Sequence, residues 1–305
     1  MPKTTYAAIT LGSNSFNMLV ARTQGHRPQV IAKYKRKVRL AEGMGTDGRL
    51  QDAVMQRGLD CLAMFGRMLD NHKVDRCHVA VVATATLRSV SNADEFSERA
   101  VPLLGCPIEV ICGMREAELI YQGMVANTQG GGRRLVIDIG GASTEFIVGE
   151  GQDVLLKASL PFGCVTGQRQ FFAHFPYQEQ DFIDSAADVA KILTEQGPML
   201  RRLGWNAVVG ASGSVQSVIE LLAHRELPQI ITLEVLQQLK TEILQQHSAD
   251  LAGITGLNSE RVPTFAAGVA ILLALFTQLN LDRLQLSGGA LREGVLQQLA
   301  DRVAG

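Results

Sequence analysis

The chain has 305 residues, of which 46% are hydrophobic and 19% charged, with a formal net charge of -1. That length exceeds one ordinary core and suits two domains of about 150 residues each. The near-neutral charge excludes a global nucleic-acid footprint and an acidic tail, so nucleic acid is not an expected partner.

The first apolar run has no basic leader, and the expectation is a chain without a signal peptide. Phe265 to Phe276, the longest apolar stretch, contains Gly268 and falls short of the roughly 20 residues a membrane span needs, which predicts a buried core helix and no membrane partner. Cys61, Cys77, Cys106, Cys112 and Cys164 are scattered without a CxxC pair. Neither a disulfide framework nor a zinc site is indicated, and a reducing cytoplasm is the expected home.

In chain order, three strand-like runs open the sequence: Tyr6 to Leu11, Phe16 to Arg22 and Gln29 to Leu40. The first two flank Gly12-Ser13-Asn14-Ser15, which predicts a hairpin. In the third, Lys33, Lys35, Lys37 and Arg39 alternate. A strand would put all four on one face, either as a track for a polyanion or as an edge kept soluble by lysine. Helical spacing follows from Val54 to Leu69, then a strand Val79 to Ala83, a helix near Ala93 to Leu104, a strand Pro107 to Cys112 and a helix from about Met114 to Asn127. Strands alternating with helices predict a largely parallel sheet. Gln129-Gly130-Gly131-Gly132 suits a boundary between domains at 1–127 and 128–305, with the last helix free to pack back on the first domain.

The second half begins as the first does. Ile9-Thr10-Leu11-Gly12-Ser13-Asn14-Ser15 lies over Ile137-Asp138-Ile139-Gly140-Gly141-Ala142-Ser143 without a gap, at an offset of 128 positions. Such a repeat predicts two related domains facing each other across a cleft, with one turn on each wall. Two more small-residue turns follow strand-like segments, at Gly210-Ala211-Ser212-Gly213-Ser214 and Ser287-Gly288-Gly289-Ala290. Short or absent side chains let phosphate oxygens approach backbone N–H groups. One such turn is usually only a turn, but four after strands, two of them repeated, point to phosphate. Asp138 and Glu145 flank the second turn and could hold a hard cation such as Mg²⁺; an exposed strand face would look the same.

These segments, together with Ala83-Thr84-Ala85-Thr86-Leu87-Arg88, Thr144-Glu145 and Leu291-Arg292-Glu293-Gly294, resemble the exopolyphosphatase/guanosine pentaphosphate phosphatase family along nearly the whole chain. The resemblance implies an α/β fold of two actin-like, ribonuclease H-like domains around a central cleft. It also implies Mg²⁺-assisted release of a terminal phosphate, with polyphosphate or guanosine penta- and tetraphosphate as ligands. The phosphate ligands would be Gly12, Ser13, Asn14, Ser15, Gly140, Gly141, Ala142, Ser143, Gly210, Ser212, Gly213, Ser214, Gly288 and Gly289. Glu116 falls where the family places its catalytic carboxylate and would deprotonate the attacking water, while Arg88 falls on a cleft arginine. Read alone, Glu116 is a carboxylate in a first helical turn, which the helix dipole favours.

Three features depart from the family pattern. Position 10 is threonine where the family carries aspartate, and a neutral hydroxyl is a poor Mg²⁺ ligand. Arg115-Glu116-Ala117-Glu118 exchanges the charges around the presumed base, so Arg115 could lower the pKa of Glu116 or bind phosphate itself. The third is an expectation, that the further helical domain common in the family beyond residue 305 is missing. A homodimer is an open expectation. A binding or sensing protein of the same fold is the alternative to a hydrolase, and a sugar kinase is weaker because no aspartate base is evident. Cys112 and Cys164 are expected to be small buried residues near the site.

Overall fold

The computed structural model describes residues 4–24 and 27–304 and divides them into two compact units, 1–128 with 288–305, and 129–287. The first unit opens with β1 (Thr5–Leu11), β2 (Phe16–Gln24) and β3 (Arg27–Arg36), each antiparallel to the one before. It continues with α1 (Asp52–Asn71), β4 (Val79–Ala83), α2 (Ala85–Ser89), α3 (Ala93–Leu104), β5 (Glu109–Val110) and α4 (Gly113–Asn127). The sheet runs β3-β2-β1-β4-β5, with β4 parallel to both β1 and β5.

Alternation along β1 sends Ile9 and Leu11 to one face, into a core with Phe65 of α1 and Phe96 of α3. Tyr6 and Ala8 point to the other face, into a second core with Leu119 of α4. The third strand ends at Arg36, earlier than Leu40. Arg39 takes a left-handed φ of 55° and Leu40–Gly43 form a 3-10 turn, so the expected basic stripe breaks after Lys35. The run at Pro107 to Cys112 pairs over only two residues.

The second unit repeats this plan with β6 (Arg133–Ile139), β7 (Thr144–Glu150) and β8 (Asp153–Leu160), then α5 (Cys164–Phe171), α6 (Glu179–Ile192) and α7 (Gln196–Leu203). β9 (Ala207–Ala211), α8 (Ser212–His224), α9 (Leu233–Leu244), α10 (Val262–Leu279) and β10 (Gln285–Leu286) complete it. Its sheet runs β10-β9-β6-β7-β8, the same order and the same strand senses. The apolar stretch around Phe265 is the central helix α10, whose Phe265, Ile271, Leu275 and Phe276 are buried in the core of this unit.

Three hairpin-linked strands make both sheets mixed and not largely parallel, because turns as short as Gly12–Ser15 and Gly140–Ser143 can join only antiparallel neighbours. Two domains with this strand order match the expected pair of actin-like, ribonuclease H-like domains. The repeat also extends beyond the turns. A bulge falls between Val20 and Ala21 on β2 and between Val148 and Gly149 on β7, again 128 positions apart.

After β10 the chain returns to the first unit as α11 (Leu291–Ala304), so the second domain closes at Ser287 and not at residue 305. Val295, Leu296 and Leu299 of α11 complete the Tyr6/Leu119 core. Glycine makes this contact close, since a Cβ on Gly294 would strike the Leu119 carbonyl of α4 and one on Gly123 the Ala290 carbonyl.

Candidate active site

In the first unit, the β1–β2 turn closes through Gly12 N–H donating to Ser15 O at 3.1 Å. Two bonds tie it to the corner after β4: Thr84 N–H to Leu11 O at 3.2 Å, and Thr86 Oγ1 to the buried Ser13 Oγ at 2.8 Å. That corner starts α2, whose last turn carries Arg88. The Arg88 guanidinium donates from Nη1 to Ile111 O at 2.9 Å and to Glu116 Oε2 at 2.7 Å. It therefore joins α2 to the β5–α4 connection and fixes the Glu116 carboxylate in the first turn of α4.

The Glu116 side chain is 10% exposed and that of Arg88 21%. Burial pushes the Glu116 carboxyl above the ordinary glutamate range, and the hydrogen bond and charge of Arg88 offset part of that rise. Arg115 does not lower it, because Arg115 is paired with Glu118 at 2.9 Å. Cys112, expected to be buried, is exposed at the N-cap of α4, whereas Cys164 is buried.

In the second unit, Gly140 N–H closes the equivalent turn on Ser143 O at 2.8 Å. Asp138 and Glu145 face each other across the β6–β7 ladder, on the sheet face opposite Ile137 and Ile139. Glu145 is buried and accepts from Ser159 Oγ at 2.8 Å. Asp138 also neighbours Ala211 at the end of β9, beside the start of α8. There Ser212 holds a φ of 84°, which is costly for a residue with a Cβ and is typical of functional turns. Among the described residues, the buried hydroxyls of Ser212 and Ser214 have no hydrogen-bond partner, which suits groups waiting for an acceptor or donor from outside the chain.

Sequence reasoning missed Arg261 at this corner. A Cβ on Gly213 would come within 2.7 Å of Arg261 Nη1, so glycine lets the guanidinium lie against the first turn of α8. Arg261 is buried, and its carboxylate partner, Glu220, stands 3.7 Å away. A guanidinium at the positive end of a helix leaves an excess of positive charge that suits an anion. Only the unusual pairing of arginine with the start of α10 could have signalled it.

Three of the expected phosphate glycines have packing roles. Gly210 lies within β9, where a Cβ would press on Leu284 and Val215 at 2.7 Å. Gly288 donates its N–H to Thr128 Oγ1 at 2.9 Å, and Cβ atoms on Gly288 and Gly289 would strike carbonyls of α4, at Asn127 and Gly123 respectively.

For Mg²⁺, the donor set fits. Asp138 and Glu145 offer two hard carboxylates on adjacent strands, and Mg²⁺ takes its remaining ligands from waters and phosphates. Among the described residues no cluster of three or more His, Cys, Asp or Glu side chains forms.

The model of the Ppx/GppA phosphatase family matches residues 19–303. The chain is similar to the crystal structure of the Aquifex aeolicus member of that family, at 25% identity over 100% of both chains with a TM-score of 0.81. It is also similar to that of an exopolyphosphatase from Cytophaga hutchinsonii ATCC 33406, at 26% identity over 98% of each chain with a TM-score of 0.86. An exopolyphosphatase-like protein at 20% identity and a TM-score of 0.89 shares the fold. With two duplicated sheets, paired small-residue turns and a family match over nearly its whole length, the chain belongs to the Ppx/GppA phosphatase family.

Proposed function

We propose that the protein hydrolyses the terminal phosphate of inorganic polyphosphate or guanosine pentaphosphate, with Glu116 as general base. The observation that carries this reading is the part-buried Arg88–Glu116 pair, which holds a carboxylate of raised proton affinity at a helix start. A water oxygen would bond to the terminal phosphorus as its proton passes to Glu116. The anhydride P–O bond would break, leaving its electron pair on the shortened chain. Arg88 orients Glu116 and supplies positive charge near the growing charge on the phosphoryl oxygens.

In the second unit, Gly141, Ala142 and Ser143 would offer amides to phosphate oxygens, with Ser212, Gly213, Ser214 and Arg261 as a further anion-binding corner. Asp138 and Glu145 would hold Mg²⁺, which neutralises phosphate charge when bound. Phosphate release from both substrates, with Mg²⁺ and with EDTA, tests the reading in wild type and Arg88→Gln. Release that the substitution slows supports it, and absence of release from both substrates rejects it.

One observation favours a second reading, a guanosine-phosphate or polyphosphate sensor with weak turnover. The first-unit counterparts of Asp138 and Glu145 are the neutral Thr10 and Asn17. Calorimetry showing tight binding without turnover would select the sensor.

A further inference from the structure

Among the described residues, the turn Gly140–Ser143 is fastened from one side only. Gly140 O accepts from Cys164 N–H at 2.9 Å, and Gly141 O accepts from Val165 and Thr166 N–H at 2.8 and 3.0 Å. All three donors belong to the first turn of α5, whose N-terminal amides would otherwise lack partners. In a trans peptide the C=O and the following N–H point in opposite directions. Carbonyls 140 and 141 turned toward α5 therefore aim the amides of Gly141 and Ala142 the other way. Among the described residues, neither amide has a hydrogen-bond partner.

Gly163 makes this close approach feasible. A Cβ there would lie 2.5 Å from Gly141 C and 2.6 Å from both Ala142 N and Gly140 O, all backbone atoms that cannot swing aside. Its φ of -161° is ordinary extended backbone, so space and not conformation demands glycine. Thr166 locks the same residue, because its Oγ1 accepts from Gly163 N–H and donates to Gly163 O, each at 3.1 Å.

The first unit fastens its turn from the same topological place, the segment after the third strand. Arg39 N–H donates to Asn14 O at 2.9 Å and Ala41 N–H to Ser13 O at 3.0 Å. By the same peptide geometry, the amides of Asn14 and Ser15 point away from that segment. Different local structures, a 3-10 turn and an α-helix, thus do the same job in the two repeats.

We propose that Gly163 and Thr166 are positioning residues that set the outward direction of the Gly141 and Ala142 amides and thereby the affinity of that turn for phosphoryl oxygens. This rests on the phosphate reading of the turn. The test uses the full-length protein, tripolyphosphate as the probe, and backbone amide shifts as the readout, in wild type, Gly163→Ala, Thr166→Val and Thr166→Ser. In wild type, the probe should shift the amides of Gly141 and Ala142, while those of Cys164 to Thr166 stay protected from hydrogen exchange. Gly163→Ala should weaken probe binding at this turn by about tenfold, the effect of one or two misdirected hydrogen bonds. The amides of Ser212 to Ser214 should still respond.

Thr166→Val should weaken binding less than Gly163→Ala, and Thr166→Ser should restore it, a rescue that a purely structural defect would not give. If Gly163→Ala does not fold, the valine–serine pair at 166 decides. Wild-type affinity in both Gly163→Ala and Thr166→Val would overturn the proposal, as would equal damage from serine and valine. A wild type that releases phosphate from polyphosphate without moving the Gly141 and Ala142 amides overturns this inference alone. One whose amides respond without phosphate release overturns only the hydrolase reading, and no response with no release overturns both.

Discussion

Asp138 and Glu145 stand directly opposite each other across the β6–β7 ladder, and the same two places in the first repeat hold Thr10 and Asn17, likewise paired across β1–β2. Asn17 Nδ2 approaches Thr10 Oγ1 at 3.4 Å. One repeat therefore carries two carboxylates where the other carries a hydroxyl and an amide.

Restoring a carboxylate at position 10 should change the use of metal. Thr10 is buried, so an aspartate there lacks water to solvate its charge and should cost about 1–3 kcal/mol without a cation. Thr10→Asp is expected to melt lower than wild type in EDTA, to recover with Mg²⁺, and to reach half-maximal phosphate release at lower Mg²⁺. Melting curves and Mg²⁺ titrations check this, and a variant indifferent to Mg²⁺ would show that position 10 does not bear on the metal.

The raised pKa of Glu116 gives a pH signature. A carboxyl that binds its proton more tightly in the folded chain loses stability as pH rises from the unfolded value, about 4.3, up to the folded value. Glutamine at 116 has no such step. The stability difference between Glu116→Gln and wild type should therefore grow in favour of the variant across that window and then level off. In wild type, kcat/KM should rise with pH above the ordinary glutamate range as the base loses its proton. Denaturant melts over a pH series and a pH–rate profile measure both.

Ser212 combines a left-handed φ of 84° with a buried hydroxyl that has no partner among the described residues. Glycine relieves the first and removes the second, so Ser212→Gly should stabilise the protein by about 1 kcal/mol. The same change should weaken binding of tripolyphosphate, since the hydroxyl is lost. Calorimetric unfolding and binding titrations should move in opposite directions; unchanged affinity would mean that Ser212 does not touch the anion.

Gly294 and Gly123 allow α11 to lie against α4. Gly294→Ala places a methyl against the Leu119 carbonyl and should cost about 1–3 kcal/mol or more through overpacking. A melting temperature equal to wild type would contradict this close contact.

The repeat of Ile9–Ser15 in Ile137–Ser143 was legible in sequence because short turns and apolar strands need particular residue types at fixed spacing. The hairpins and α1 followed from residue spacing in the same way, and α10 from the length of its apolar run. Roles set by distant contacts were not legible. Gly288 and Gly289 look like a phosphate turn, yet their missing Cβ atoms serve packing on α4. Gly163 sits in no recognisable turn, and only its contact with the backbone of residues 140–142 explains it. Arg261 is remote in sequence from Gly213 and meets it only through the fold of the second unit. The run Gln29 to Leu40 misled because alternation continues past Arg36, while Arg39 turns left-handed to reach Asn14.

The most direct test of the account is phosphate release from guanosine pentaphosphate and polyphosphate with Mg²⁺, comparing wild type with Glu116→Gln at equal folded concentration. Loss of a positioned general base predicts a fall of about 10²- to 10⁴-fold in kcat, with the fold intact by circular dichroism. Release at the wild-type rate in the glutamine variant would contradict the assignment of Glu116 as the base.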